Sequence, residues 1–141
     1  AAAAWRGPML SGAIKQLSKS TMWGELDYLL IDMPPGTGDA YLTIFKEMSI
    51  DGFILISTPS LLSIADIKKT ISLVNKFKLP ILGYIENNIF ESKTNIKDDT
   101  FIEKKINKLG TFNFSNHMMN FNPEYINDQA DNISKSIIEN V

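Results

Sequence analysis

The sequence predicts an α/β fold: a mostly parallel sheet covered by helices on both faces, in three layers. Three observations lead there. The apolar runs at residues 26–31, 53–57 and 81–85 are continuous rather than alternating, as expected for strands covered on both faces. They recur at intervals of roughly 27 to 28 residues. Segments of helical periodicity lie between them, which is the βαβ pattern and implies right-handed crossovers.

Taken in order, residues 8–19 read as a helix, with Met9, Ile14 and Leu17 broadly on one side and Lys15 and Lys19 in the later turns, where cations suit the helix dipole. The first strand, over residues 26–31, ends in Asp32 and breaks into Pro34-Pro35-Gly36-Thr37-Gly38-Asp39. A short helix is expected over 41–48 and the second strand over 53–57. Residues 63–77 give the clearest helix, since Ile64, Ile67, Ile71, Val74 and Phe77 recur at three- and four-residue intervals. Ser63 is its expected N-cap, with Asp66 three residues on. Leu79-Pro80 ends that helix and leads into the third strand. Residues 91–99 are polar and aperiodic, which predicts a surface loop. A lysine-rich helix over 101–109 ended by Gly110, an edge strand over 111–114 and a terminal helix over 123–141 complete the pattern.

With 141 residues and a mean hydropathy near zero, the chain has the size of one compact domain with a real core. Fourteen basic and sixteen acidic residues leave no electrostatic footprint for nucleic acid. There is no cysteine, which excludes disulfides and any thiolate-held metal centre built from these residues alone, and which fits a cytoplasmic protein. No run of about eighteen apolar residues occurs, so no transmembrane span and no membrane partner are expected. Residues 1–4, all alanine, have the look of a cloning remnant.

The turn after the first strand has the chemistry of a nucleotide site. In a parallel sheet, ligands sit outside the carboxyl ends of the strands, so Asp32 stands where a Mg²⁺ ion or an attacking water would be. Pro34 and Pro35 donate no backbone N–H, whereas Gly36 and Gly38 let the backbone approach a ligand closely. The stretch from Asp32 to Asp39 therefore reads as a phosphate-sensing turn with two carboxylates. The same residues also suit a plain strand stop in which Asp32 caps the turn by accepting backbone hydrogen bonds.

Trp5-Arg6-Gly7-Pro8-Met9, Trp23-Gly24-Glu25-Leu26-Asp27-Tyr28, the Asp32 to Asp39 turn, Thr58-Pro59 with Asp66, and Gly83-Tyr84-Ile85-Glu86-Asn87-Asn88 together resemble the Mrp/ApbC family. Its members are P-loop ATPases of the MinD/ParA type that carry iron–sulfur clusters. The resemblance is strong over residues 5–88 and faint beyond. It implies that Asp32 is the Walker B carboxylate holding Mg²⁺ through water, and that Pro34, Gly36, Thr37, Gly38 and Asp39 form switch II, with Asp32 and Asp39 as the catalytic carboxylates. Asn87 would read the adenine edge of ATP, for which an amide offers both a donor and an acceptor. Pro59 would lie in the segment beside the nucleotide, although a strand stop explains Thr58-Pro59 equally well. A homodimer and iron–sulfur apo-protein clients are further implications of the resemblance.

Two family features are absent from these residues. No Gly-x-x-x-x-Gly-Lys-Ser/Thr pattern occurs, so the phosphate cradle and its lysine are missing. The expectation is that residues 5–141 form the C-terminal part of one P-loop ATPase domain, with a sheet incomplete on its N-terminal side and no ATPase activity in isolation. The Cys-x-x-Cys pair expected shortly after Asn88 is also absent, and Glu91 or Asp98 cannot replace thiolates at a cluster. The leading expectation is thus the switch and base-reading portion of an ATP-hydrolysing iron–sulfur cluster carrier. The alternatives are a MinD/ParA-like nucleotide-gated positioning switch and a catalytically inactive scaffold.

Overall fold

The computed structural model of the chain describes residues 6–34, 36, 38–88, 100–113, 115 and 122–140. Two compact units emerge, Ala1–Ile50 and Asp51–Val141.

The second unit holds the sheet. Strands β1 (Phe53–Ser57), β2 (Ile81–Asn88) and β3 (Lys108–Asn113) lie in the order β1-β2-β3, and both pairings are parallel. Parallel neighbours need crossovers. Helix α3 (Leu61–Lys76) links β1 to β2, and the connection from β2 to β3 includes the short α4 (Thr100–Glu103). Each face of the sheet carries its own core. Leu55 packs with Ile67 and Ile71 of α3 and with Phe101 of α4, whose ring stacks on Tyr84 at a centroid distance of 3.8 Å. On the other face Ile85 and Leu109 pack with Ile133 of α5 (Pro123–Ile138). The layered α/β architecture is the one the continuous apolar runs predict.

Local signals decide where the helices start. Ser60, not Ser63, caps α3, accepting from the Ser63 N–H at 3.1 Å, while the Ser63 hydroxyl accepts from the Thr58 N–H, also at 3.1 Å. Ser63 stands in the glutamate position of a capping box but reaches past the N-cap to Thr58, while the Ser60 N–H bonds to the Thr58 carbonyl at 2.7 Å. Asp66, expected to help that cap, instead pairs with Lys69 at 3.0 Å. For α5, Asn122 accepts from the Glu124 and Tyr125 N–H groups ahead of Pro123. The lysine-rich helix expected up to residue 109 stops at Glu103, because Lys108, Leu109 and Gly110 join β3. Strand pairing with β2 and burial of Leu109 outweigh the local helical pattern there.

The first unit contains α1 (Arg6–Ser20) and α2 (Asp39–Glu47), with Ala40, Tyr41, Thr43 and Ile44 buried. Residues 26–31 differ from expectation, carrying neither helix nor strand, with Leu30 at 82% exposure. A strand needs a ladder to satisfy its backbone groups, and among the described residues no ladder includes this run. Apolar composition makes a segment competent for pairing without supplying its neighbour.

Candidate functional site

Helices α1 and α2 run parallel and in register, as three successive rungs show. At the first, a Cβ on Gly7 would stand 2.8 Å from Asp39 Oδ2. At the second, Ser11 Oγ lies 2.8 Å from Thr43 Oγ1. At the third, Glu47 receives Lys15 at 3.4 Å and Lys19 at 2.7 Å. Positions 7, 11 and 15 thus face 39, 43 and 47, the four-residue step that keeps side chains on one helix face. The Lys19 hydrogen bond, aided by Lys15, holds the Glu47 carboxyl below the usual carboxylate range.

Parallel helices oblige the chain between them to travel back the length of α1. Fifteen helical residues span about 22 Å, a distance that about seven extended residues can cover. The connector therefore returns its Pro/Gly turn to the end of the pair where both helices begin. Gly36 sits there with φ +92, a left-handed conformation that an L side chain resists. Gly38 is the N-cap of α2 and, lacking a side chain, offers no capping bond. Asp39 opens the helix, where a carboxylate suits the dipole. Asp32 and Asp39 are both exposed, and among the described residues neither side chain has a hydrogen-bond or ion-pair partner.

The second unit presents its own candidate edge. In a parallel sheet all strands end on one side, which brings Thr58-Pro59 after β1, Asn87-Asn88 of β2 and Asn113 of β3 to the same border. Asn87 is half-buried, and among the described residues its amide has no hydrogen-bonding partner. Asn88 Nδ2 reaches Asn113 Oδ1 at 3.5 Å. Gln129 of α5 accepts from the Asn113 N–H at 2.8 Å, which orients its amide, and among the described residues the buried Nε2 donor has no partner. Such a donor costs about 1 to 3 kcal/mol until something accepts from it.

The predicted residues fall into two sets. Asp32, Pro34, Gly36, Gly38 and Asp39 belong to the first unit, Pro59 and Asn87 to the second, and Thr37 lies outside the described residues. Sequence reasoning missed the rungs and Gln129. The constant offset between positions 7, 11, 15 and 39, 43, 47 was the available signal, and it acquires meaning only once the helices are known to be parallel.

Among the described residues no group of three or more His, Cys, Asp or Glu could hold a metal ion. A lone exposed carboxylate such as Asp32 suits Mg²⁺, which keeps most of its waters and takes one or two carboxylates beside substrate phosphates. An iron–sulfur cluster needs thiolates, which none of the 141 residues supplies, so this chain's own side chains do not fit one. No helix among the described residues is long and apolar enough to cross a membrane.

Over residues 1–125 the sequence matches the family described as ParA, NUBPL iron-transfer P-loop NTPase. Among curated proteins it is similar to an iron–sulfur cluster carrier protein of Methanocaldococcus jannaschii, with 54% identity over 84 residues covering 59% of this chain and 29% of that protein. It is also similar to the iron–sulfur protein required for NADH dehydrogenase, mitochondrial, of Arabidopsis thaliana, with 45% identity over 83 residues covering 59% and 26%. The matched stretch spans less than a third of either relative. Among solved structures, a nucleotide-binding protein of Archaeoglobus fulgidus, described as in complex with ADP and with Co found in it, aligns with a TM-score of 0.61 and 27% identity. That alignment covers 93% of this chain and 54% of the other.

Proposed function

Because the chain belongs to the ParA family of NUBPL-type iron-transfer P-loop NTPases, we propose that it forms the phosphate-sensing and base-reading part of an ATP-hydrolysing iron–sulfur cluster carrier. The observation that carries this reading is the return of the Pro/Gly turn to the shared starting end of the paired helices α1 and α2, with two exposed carboxylates, Asp32 and Asp39, at its ends. Phosphoryl transfer needs positioning and charge neutralisation more than covalent chemistry. Asp32 would orient the attacking water and hold Mg²⁺ through its water shell, the ion neutralising phosphate charge. Gly36 and Gly38 would let the turn follow the γ-phosphate, Asp39 would be the second catalytic carboxylate and fix where the turn ends, Asn87 would read the adenine edge, and Pro59 would lie in the segment beside the nucleotide. The phosphate-cradling loop is not among the 141 residues, so hydrolysis is proposed for a protein that also carries one. Cluster ligation through this chain's side chains is not part of the proposal. A homodimer, apo-protein clients and a cytoplasmic setting are.

In the full-length protein, Asp32→Ala should lower ATP turnover by about 100-fold or more while leaving the unfolding transition unchanged. Asn87→Ala should weaken ADP binding by about 10-fold, the share of one or two base hydrogen bonds. Unaltered turnover in the first variant would refute the role of Asp32. A second reading, a nucleotide-gated switch that acts through a protein partner and carries no cluster, is favoured by the lack of cysteine. Anaerobic reconstitution of the full-length protein with iron and sulfide separates the two: a bound cluster supports the carrier, and none supports the switch.

A further inference from the structure

We propose that Gly7 is a positioning residue for Asp39: its missing side chain leaves the space in which the Asp39 carboxylate lies against the first turn of α1. This rests on the reading that the turn ending at Asp39 senses the nucleotide. Helix α1 contains two glycines, Gly7 in its first turn and Gly12 in its interior, where glycine weakens a helix. Their surroundings differ. Among the described residues a Cβ on Gly12 would meet nothing within 4 Å, whereas a Cβ on Gly7 would stand 2.8 Å from Asp39 Oδ2, well inside van der Waals contact. The clash is with the tip of a side chain, so the fold can absorb a methyl at position 7 by turning the carboxylate away. The helix survives and the carboxylate moves.

The consequence follows from where Asp39 sits. It is the first residue of α2, directly after Gly38, and its backbone is already tied to α1 by a relay in which Thr43 donates to the Asp39 carbonyl at 2.7 Å and Ser11 bonds to Thr43 at 2.8 Å. With the carboxylate also seated over Gly7, both the main chain and the side chain of Asp39 are referenced to α1. The Gly36 to Gly38 turn therefore works against a fixed end. Gly7 touches no ligand in this scheme and acts only through Asp39.

The test compares Gly7→Ala, Gly12→Ala, Asp39→Asn and the Gly7→Ala/Asp39→Asn double variant in the full-length protein. Misplacement of a reacting-site group lowers turnover more than binding, so Gly7→Ala should reduce kcat by about 10- to 100-fold with KM for ATP within about twofold. Gly12→Ala should match the wild type, and the double variant should be no slower than Asp39→Asn. Equal rates for the two glycine variants, or a Gly7→Ala loss that multiplies in full on the Asp39→Asn background, would overturn the proposal. A readout free of turnover accompanies these rates: the ¹³C carboxyl resonance of Asp39 should move in Gly7→Ala and stay in place in Gly12→Ala. If the wild-type protein does not hydrolyse ATP, the functional reading fails. The resonance still decides the role of Gly7, because an unmoved signal would end it.

Discussion

Ser11 Oγ and Thr43 Oγ1 stand 2.8 Å apart between α1 and α2, and the Thr43 hydroxyl donates its proton to the Asp39 carbonyl at 2.7 Å. A hydroxyl has one proton to give. Ser11 must therefore be the donor of the pair, and the relay runs from Ser11 through Thr43 to the first residue of α2.

Thr43 is 7% exposed, so replacing it removes two bonds at a buried position. Thr43→Val should destabilise the protein by about 1 to 2 kcal/mol, and Ser11→Ala by about half that, since it leaves the Thr43 to Asp39 bond intact. Urea unfolding of both variants checks the ordering.

The third rung makes stability depend on pH. Glu47 is held below the usual carboxylate range chiefly by the Lys19 hydrogen bond. Since the folded-state value lies below the unfolded one, the contribution is fully present above the ordinary glutamate range and disappears as pH falls through the folded value. The stability difference between wild type and Glu47→Gln should thus be flat near neutrality and shrink towards zero in acid. It should also shrink with added salt, because Lys15 and Lys19 are exposed. Thermal melts from pH 7 to pH 3 at two ionic strengths measure both trends.

Two glycines should respond in opposite directions to the same methyl. Gly12→Ala replaces a helix-interior glycine where no described residue would meet the methyl within 4 Å, and should stabilise by up to about 1 kcal/mol. Gly36→Ala forces a side chain into φ +92 and should destabilise by about 1 to 2 kcal/mol. Denaturant midpoints for the pair test the sign directly.

In the second unit, Ile71 is 2% exposed and packs with Leu55, Ile67 and Phe101 under one face of the sheet. Ile71→Ala should cost about 2 to 5 kcal/mol and Ile71→Val about 0.5 to 1.5 kcal/mol. A smaller loss on truncation to alanine would mean that this core relaxes around the void, which circular dichroism melts would reveal.

Most helices and strands were legible because their signals are local. The Ile64, Ile67, Ile71, Val74 spacing places α3 within a few residues of its observed bounds, and the apolar run at β1 coincides with Phe53–Ser57. Misreadings arose where a local signal had two users. Ser60 and Ser63 both suit a helix start, and the serine nearer the strand end took the cap while the other turned back to Thr58. Residues 108–110 suit a lysine-rich helix by composition, yet the register with Tyr84 and Ile85 draws them into β3.

The candidate site divides along the same line. The sequence by itself determined the residue types: the carboxylates at positions 32 and 39, the glycines at 36 and 38 and the amide at 87 are chemistry carried by side chains and by their absence. Only the tertiary structure decided what surrounds them. Parallel pairing of α1 and α2 sets Gly7 under Asp39, brings the Ser11 hydroxyl to Thr43 and gives Glu47 two lysines, while parallel pairing of β1, β2 and β3 lines Pro59, Asn87 and Asn113 along one border. The physical reason is range. Propensity and periodicity act over one turn or one strand, whereas these pairings join positions a full crossover apart, and their energy is gained only when helices or strands meet.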